Sequence, residues 1–389
     1  MSVAHAHLFS QIVQVISRSV FELLVRKHHA EDRSKGFSSW DQFVAMLFCQ
    51  LGQAHSLREI EMGLASTSGK LAHLGLTEAP KRSTLAYANA HRPWQLFEDL
   101  FQHVLAQTKP YAKGRGRLRL RNAIRLMDAT TIDLCLEVFD WALFRRTKGA
   151  VKLHVALDHE GCLPCFATIT TGKVNDVKVA QQLEFDPGTI VVVDRGYNDY
   201  RLWNRWCDRD VGFVTRMKTS AIYEVLEVLH ESDTGKIRSD AYIILTGVRA
   251  DKNCPHILRR VVVWDDENEC EIVLVTNLIH LSALTIARLY KERWQIELFF
   301  KALKQNFRVK TFVGTSANAV KTQLWTALIA VLLVRLLQLR ATFAWSLSNL
   351  VALLRMNLFT YRDLWAWLNK PFLTPPQPPP VVQLELPFG

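Results

Sequence analysis

The chain has 389 residues and a mass of 44.6 kDa; 48 Lys and Arg against 37 Asp and Glu give a formal charge of +11 and a pI near 9.4. With 49% hydrophobic residues it is too apolar to be disordered, and 17 Gly with 13 Pro are too few for a fibrous chain. The length suggests two or more domains, and the positive excess points to a polyanion, either nucleic acid or an anionic membrane surface.

The membrane option is the weaker one. The longest apolar run, Leu324 to Val334, ends at Arg335, and a spanning helix needs about 20 residues, so the run reads as a buried core helix. The N-terminus has no basic stretch before an apolar one, so no signal peptide is expected. Seven cysteines, an odd number, suggest a reduced cytoplasmic protein. Cys162-Leu163-Pro164-Cys165 is a CxxC without a second pair at zinc spacing. It reads as a strand start, with a structural zinc as the alternative.

In chain order, the first hundred or so residues read as helices. Leu8 to Arg26 is apolar at helical spacing, and Ser39-Trp40-Asp41 caps a second helix through Leu51. Ser56-Leu57-Arg58-Glu59 reads as a capping box, and Ser83 and Pro93 punctuate two further short helices. Helices bearing Lys and Arg suit a small DNA-binding domain; a solvated bundle is the bland alternative. From Arg121 the period changes. Ala123 to Met127, Val151 to Leu157 and Phe166 to Thr170 read as strands, Asp176 to Leu183 as a helix, and Thr189 to Asp194 and Gly212 to Arg216 as two more strands. That alternation describes an α/β domain with a mixed sheet. Residues from about Ile222 to Thr276 read as a β-rich insertion, after which helices run from Ser282 to about Asn369. The segment from Thr374 to Pro380 is a polyproline-type spacer leading to Val381–Gly389.

Three carboxylates stand out. Asp128 and Asp194 are each placed at the end of a strand, where α/β sheets hold ligands, and Gly196 permits a sharp turn after Asp194. Glu297 lies on a helix with Tyr290, Arg293, Lys301 and Lys304, spaced 3, 4, 4 and 3. At roughly 100° per residue these share one stripe beside an apolar face of Leu289, Ile296, Phe299, Phe300, Leu303 and Phe307. Surface i,i+4 pairing explains the charges alone. Three carboxylates can also hold two Mg²⁺ ions about 3.5–4 Å apart for phosphodiester chemistry, with the basic residues on DNA phosphates.

Tyr290-x2-Arg293-x3-Glu297-x6-Lys304 resembles the YREK signature of the IS4-type DDE transposases. Asp128-Ala129-Thr130-Thr131-Ile132-Asp133, the stretch Lys148 to His154, Asp194-Arg195-Gly196-Tyr197, Ser56 to Ile60 and Arg82 to Asn89 are similar to family patterns. The resemblance covers about Phe37 to Arg335. It implies an α/β chain: an RNase H-like mixed-sheet catalytic domain with a β-rich insertion, an N-terminal helical DNA-binding domain and C-terminal helices. The divisions expected are 1–115, helical and DNA-binding; 116–220, first part of the core; 221–276, insertion; 277–340, second part of the core; 341–370, C-terminal helices; and 371–389, tail.

By the same resemblance, Asp128, Asp194 and Glu297 are the catalytic metal ligands for Mg²⁺, with Mn²⁺ able to substitute. Tyr290, Arg293 and Lys304 contact transposon-end phosphates, with Lys301 helping. The activity implied is cut-and-paste transposition: binding of terminal inverted repeats, cleavage, and joining of 3′-OH ends to target DNA, with hairpin ends in some relatives. The protein would act as a homodimer on double-stranded DNA in the bacterial nucleoid. A non-catalytic regulator derived from a transposase is the alternative. Trp264 is a candidate to stack on a flipped base, or it packs in the insertion. Gln383, Leu384, Leu386 and Phe388 resemble the peptide with which bacterial proteins dock on the replication sliding clamp. Their other reading is an arm packed back on the body. His154 is expected to be a satisfied core histidine.

Overall fold

A computed structural model of the protein describes residues 6–376, apart from 33, 35, 68, 117, 119, 146 and 147, and without the side chains of 143–148 and 251. The candidate clamp residues Gln383, Leu384, Leu386 and Phe388 lie outside the described residues. The chain forms two compact units: Ala112–Lys301, and Met1–Tyr111 together with Ala302–Gly389.

The helical unit begins with α1 (Leu8–Val13), α2 (Arg18–Lys27), α3 (Ser39–Leu51), α4 (Leu57–Ala65), α5 (Arg82–His91) and α6 (Gln95–Ala112). The single helix expected over Leu8 to Arg26 is two, because Ser17 is extended (ψ 120°) and starts α2 afresh. The capping box of α3 belongs to Ser38 and Asp41, one residue earlier than expected. Ser56 caps α4 through the Glu59 amide, while the Glu59 carboxylate reaches back to the His55 amide.

Nearly every residue of α3 is buried. It packs on the long apolar helix α12 (Ala317–Arg340), which also packs on α5. The apolar run Leu324 to Val334 is therefore buried among helices of its own unit. Two short helices, α13 (Leu347–Asn357) and α14 (Leu364–Asn369), complete this unit.

The second unit is built on one ten-stranded sheet. Its strands are β1 (Ile124–Leu134), β2 (Leu143–Arg145), β3 (Lys148–Asp158), β4 (Leu163–Thr171), β5 (Ile190–Val192), β6 (Gly212–Arg216), β7 (Tyr223–Glu231), β8 (Ile237–Leu245), β9 (Leu258–Asp265) and β10 (Cys270–Thr276). Between them lie α7 (Asp176–Ala180), α8 (Tyr200–Asp208) and α9 (Ala250–Asn253). After them come α10 (Ala283–Glu292) and α11 (Trp294–Asn306).

Strands β4, β3 and β1 are antiparallel neighbours, and β5 and β6 follow parallel to β1. This is the RNase H-like arrangement. The segment read as an insertion carries the sheet onward: β10 pairs with β6, and β9, β8 and β7 follow to the edge. Strand β1 runs well past the predicted end at Met127, because β3 pairs with it as far as Leu134. Asp128 is therefore inside a strand and not at its tip. The core under the β5–β6 side holds Met127, Val191, Val193, Tyr197, Trp203, Trp206 and Phe213, with the Trp203 and Phe213 rings stacked at 5.3 Å.

Two histidines are buried in the neutral form. His7 Nδ1 accepts from the Ser10 amide and caps α1, and burial lowers its pKa to about 4. His154 is buried as expected but only half satisfied: its Nε2 lies 2.9 Å from Thr170 Oγ1, whereas its Nδ1 has no hydrogen-bond partner and stands 3.6 Å from Asp176 Oδ1, and burial lowers its pKa to about 4. Both folded-state values lie below the unfolded value near 6.5. Their stabilisation is thus complete above pH 6.5 and is lost as the pH falls toward 4, by on the order of 3 kcal/mol each. Urea midpoints should fall across that window, and His154→Gln should flatten the slope. Equal slopes in the parent and variant would contradict the assignment.

Candidate active site

The site is built on the β1–β5 pairing. Ile124 faces Ile190 and Leu126 faces Val192 in parallel register. Asp128 lies two residues beyond Leu126, and Asp194 two beyond Val192. The register therefore delivers both carboxylates to the same level of the sheet, where the β5 pairing ends and β1 continues against β3 alone. Val193 still donates to Val214 O, so the backbone leaves the sheet only at Asp194.

Local contacts aim each acid. Asp128 Oδ1 accepts from the Ala129 amide at 2.7 Å, and Asp194 Oδ1 from the Gly196 amide at 2.9 Å. Gly196 is required for space and not for a left-handed turn: a Cβ there would lie 2.9 Å from Asp194 Oδ1. Thr215 Oγ1 donates to the Asp194 carbonyl. Burial, with the charges of Asp194 and Glu297 adding to it, raises the Asp128 carboxyl to about 6 against the Ala129 amide and Arg293. The Tyr197 phenol beneath is held far above its usual range by burial, with Asp128, Asp176 and Asp194 adding to the shift.

Glu297 arrives on α11. Its Oε1 pairs with Arg293 at 2.6 Å, and the Arg293 guanidinium stands 5.6 Å from the Tyr290 ring centroid. Burial works against the charge of Arg293, but Tyr290, Glu297 and Asp128 outweigh it and raise its pKa. Burial raises the Tyr290 phenol, opposed by Arg293 and Arg216. The signature helix is in fact two: Arg293 joins α10 to α11 through tighter i→i−3 bonds, Arg293 N to Tyr290 O and Ile296 N to Arg293 O. Arg293 keeps right-handed angles (φ −52°, ψ −31°), so the stripe survives the break.

The structure thus brings Asp128, Asp194, Glu297, Arg293 and Tyr290 into one electrostatic group. Lys301 is exposed further along α11, and Lys304 stands in the helix's last turn. Trp264 is elsewhere on the sheet, half-buried on β9 with the Arg238 guanidinium 5.0 Å from its ring centroid. Arg216 escaped the sequence reading, although it ends β6 much as Asp194 follows β5. Neither Cys162 nor Cys165 forms a disulfide; the Cys162 thiol lies 3.8 Å from Gln295 Oε1 and the Cys165 thiol 3.2 Å from the Ala156 carbonyl.

Among the described residues, no three His, Cys, Asp or Glu side chains converge closely enough to hold a metal ion. The donor set nevertheless fits a hard divalent cation. All three candidates are carboxylates, and the Asp128 pKa, raised by burial first and by the charges of Asp194 and Glu297 in addition, marks a buried acidic group that a cation would stabilise. Glu297 would have to turn from Arg293 to join them.

Comparison with known proteins places the chain. Residues 120–333 match the model of the transposase DDE domain. The chain belongs to the DDE transposase family. Residues 4–77 of this transposase also match a domain of unknown function, DUF4372. It is 31% identical over 301 residues to a Sinorhizobium fredii protein named as a transposase, y4zB, covering 76% of this chain and 83% of the relative. It is 32% identical over 257 residues to a Geobacillus stearothermophilus protein named as a transposase for insertion sequence element IS5377, covering 65% and 66%. It is 30% identical over 265 residues to a Synechocystis protein named as a transposase for element IS4SA, covering 66% and 71%. The IS4-type resemblance read from the sequence agrees with these relatives.

Gly196→Ala tests the packing around Asp194. It should leave the melting temperature nearly unchanged but weaken Mn²⁺ binding about tenfold, as displaced ligand support does. Full Mn²⁺ affinity in the variant would show that the Gly196 contact does not aim the acid.

Proposed function

We propose that the protein is a cut-and-paste transposase that binds the terminal inverted repeats of its element, cleaves them and joins their 3′-OH ends to target DNA. The observation that carries this reading is the shared register of Asp128 and Asp194, with Glu297 in electrostatic reach and held by Arg293. Asp128, Asp194 and Glu297 would hold Mg²⁺, with Mn²⁺ as a substitute. A bound divalent pair would supply activation of the attacking hydroxyl and stabilisation of the leaving oxygen.

The chain's own residues do the rest. Arg293 neutralises Glu297 until a ligand competes for that acid, and its guanidinium then suits a DNA phosphate. Tyr290, kept protonated by burial, can donate to a phosphate oxygen. Lys301 and Lys304 extend the positive track along α11. Pairing two ends requires two active sites, so the working form is a homodimer on double-stranded DNA. Hairpin ends are one route to the second strand cut.

The test is Asp194→Asn. It should abolish Mg²⁺-dependent nicking of a plasmid carrying the gene's flanking DNA, while leaving binding to that DNA intact. Full nicking would refute the metal assignment. Loss of binding as well would favour a structural role for Asp194.

The tail reading is tested separately. A Val381–Gly389 peptide should bind a purified bacterial sliding clamp. Replacing Leu386 and Phe388 by Ala should remove that binding, and equal binding by both peptides would sink the docking idea.

A further inference from the structure

The joint between α10 and α11 determines where Arg293 and Glu297 point, and one turn of the sheet unit grips it on both sides. Between β3 and β4 the chain passes through His159, Glu160, Gly161 and Cys162. His159 is 4% exposed, and its Nε2 lies 2.9 Å from Glu292 Oε2, the last residue of α10. Cys162 Sγ lies 3.8 Å from Gln295 Oε1, in the first turn of α11. Glu292 and Gln295 flank Arg293 on either side. They are three residues apart, so they share a helix edge adjacent to the Arg293–Glu297 edge.

The gripping turn is itself tightly specified. Gly161 (φ 68°) and Cys162 (φ 50°) are consecutive left-handed residues. A Cβ on Gly161 would stand 2.6 Å from Ala112 Cβ. On the other side, a Cβ on Gly116 would stand 2.8 Å from His159 Nδ1. A non-glycine residue in the left-handed region costs energy and persists only where the surroundings impose it. The buried His159–Glu292 contact, between residues 133 apart in sequence, is what that backbone serves.

We propose that this turn is a positioning clamp for catalysis: His159, with Cys162 in support, fixes Glu292 and Gln295. The two-helix joint thereby presents Glu297 and Arg293 to the Asp128–Asp194 pair. His159 and Glu292 are positioning residues and do not touch the reacting atoms. This inference rests on the metal-dependent transposase reading above. It predicts a defect in metal binding and not in DNA binding, because partners that orient a ligand typically change metal affinity by about 10–100-fold when removed.

The experiment uses the full chain and the variants His159→Ala, His159→Gln and Glu292→Ala. Mn²⁺ binding is followed by electron paramagnetic resonance, the Mg²⁺ requirement by nicking of plasmid carrying the gene's flanking DNA, and folding by melting temperature. His159→Ala and Glu292→Ala should weaken Mn²⁺ binding and raise the half-saturating Mg²⁺ concentration about tenfold or more. His159→Gln, whose amide can still donate to Glu292, should recover most of both. Variants that melt earlier but bind Mn²⁺ and respond to Mg²⁺ like the parent would overturn the clamp while leaving the metal site standing. A parent chain that binds no Mn²⁺ would overturn the clamp and the metal site together. Equal defects in His159→Gln and His159→Ala would also overturn it, by showing that the hydrogen bond to Glu292 is not what matters.

Discussion

Two like charges held side by side set the terms for the rest of the catalytic unit. Asp128 and Asp194 stand at equal offsets from the last β1–β5 pair, so the two carboxylates share one level of the sheet. Burial sharpens the conflict, since a carboxylate in a poorly solvated site resists ionisation. The raised pKa of Asp128 reflects that burial first, with the charges of Asp194 and Glu297 adding to it. Its neighbours are arranged around it: Gly196 leaves space for the Asp194 carboxylate, Tyr197 closes the floor without adding a charge, and Arg293 brings the compensating cation.

Arg293 compensates only in part, and its position explains why. It pairs directly with Glu297 and acts on Asp128 at longer range. A cation that neutralised the aspartates fully would leave them no use for a metal. A cation parked on the third acid offsets one of the three negative charges, yet it can be displaced. The joint at Arg293 suits that task. α10 packs against β5, β6, β8 and β9, so its orientation is set by the sheet. α11 starts anew one residue later, so its direction is set by contacts of its own. A single unbroken helix would tie the two orientations together.

Much of this site was legible in the sequence because its logic is local. A strand followed by an acid and a glycine, and a stripe of Tyr, Arg, Glu and Lys at helical spacing, needs no knowledge of distant residues. The stripe survived the helix break because Arg293 keeps helical angles. What escaped depends on pairing across the chain. β1 continues past Asp128 only because β3 lies beside it, and the β-rich segment joins the main sheet only because β10 finds β6. Arg216 and the His159–Glu292 contact likewise bring together residues far apart in sequence. The split between α1 and α2 was missed for the opposite reason: a steady apolar period continues through Ser17, where the backbone does not.

The far edge of the sheet shows that the net charge of +11 is not spread evenly. β7 is the terminal strand, and its residues beyond Tyr223 are exposed, including Val225, Leu226, Val228 and Leu229. An open, apolar edge strand is a template for pairing with another chain. Here the ladder to β8 slips twice, between Val225 and Glu227 and between Val228 and His230, and such bulges bend an edge away from a flat partner. Glu224, Glu227 and Glu231 lie along the same strand, so two copies meeting edge to edge would repel. The same three acids would repel a phosphate backbone. The polyanion-binding surface that the composition implies must therefore lie away from this edge.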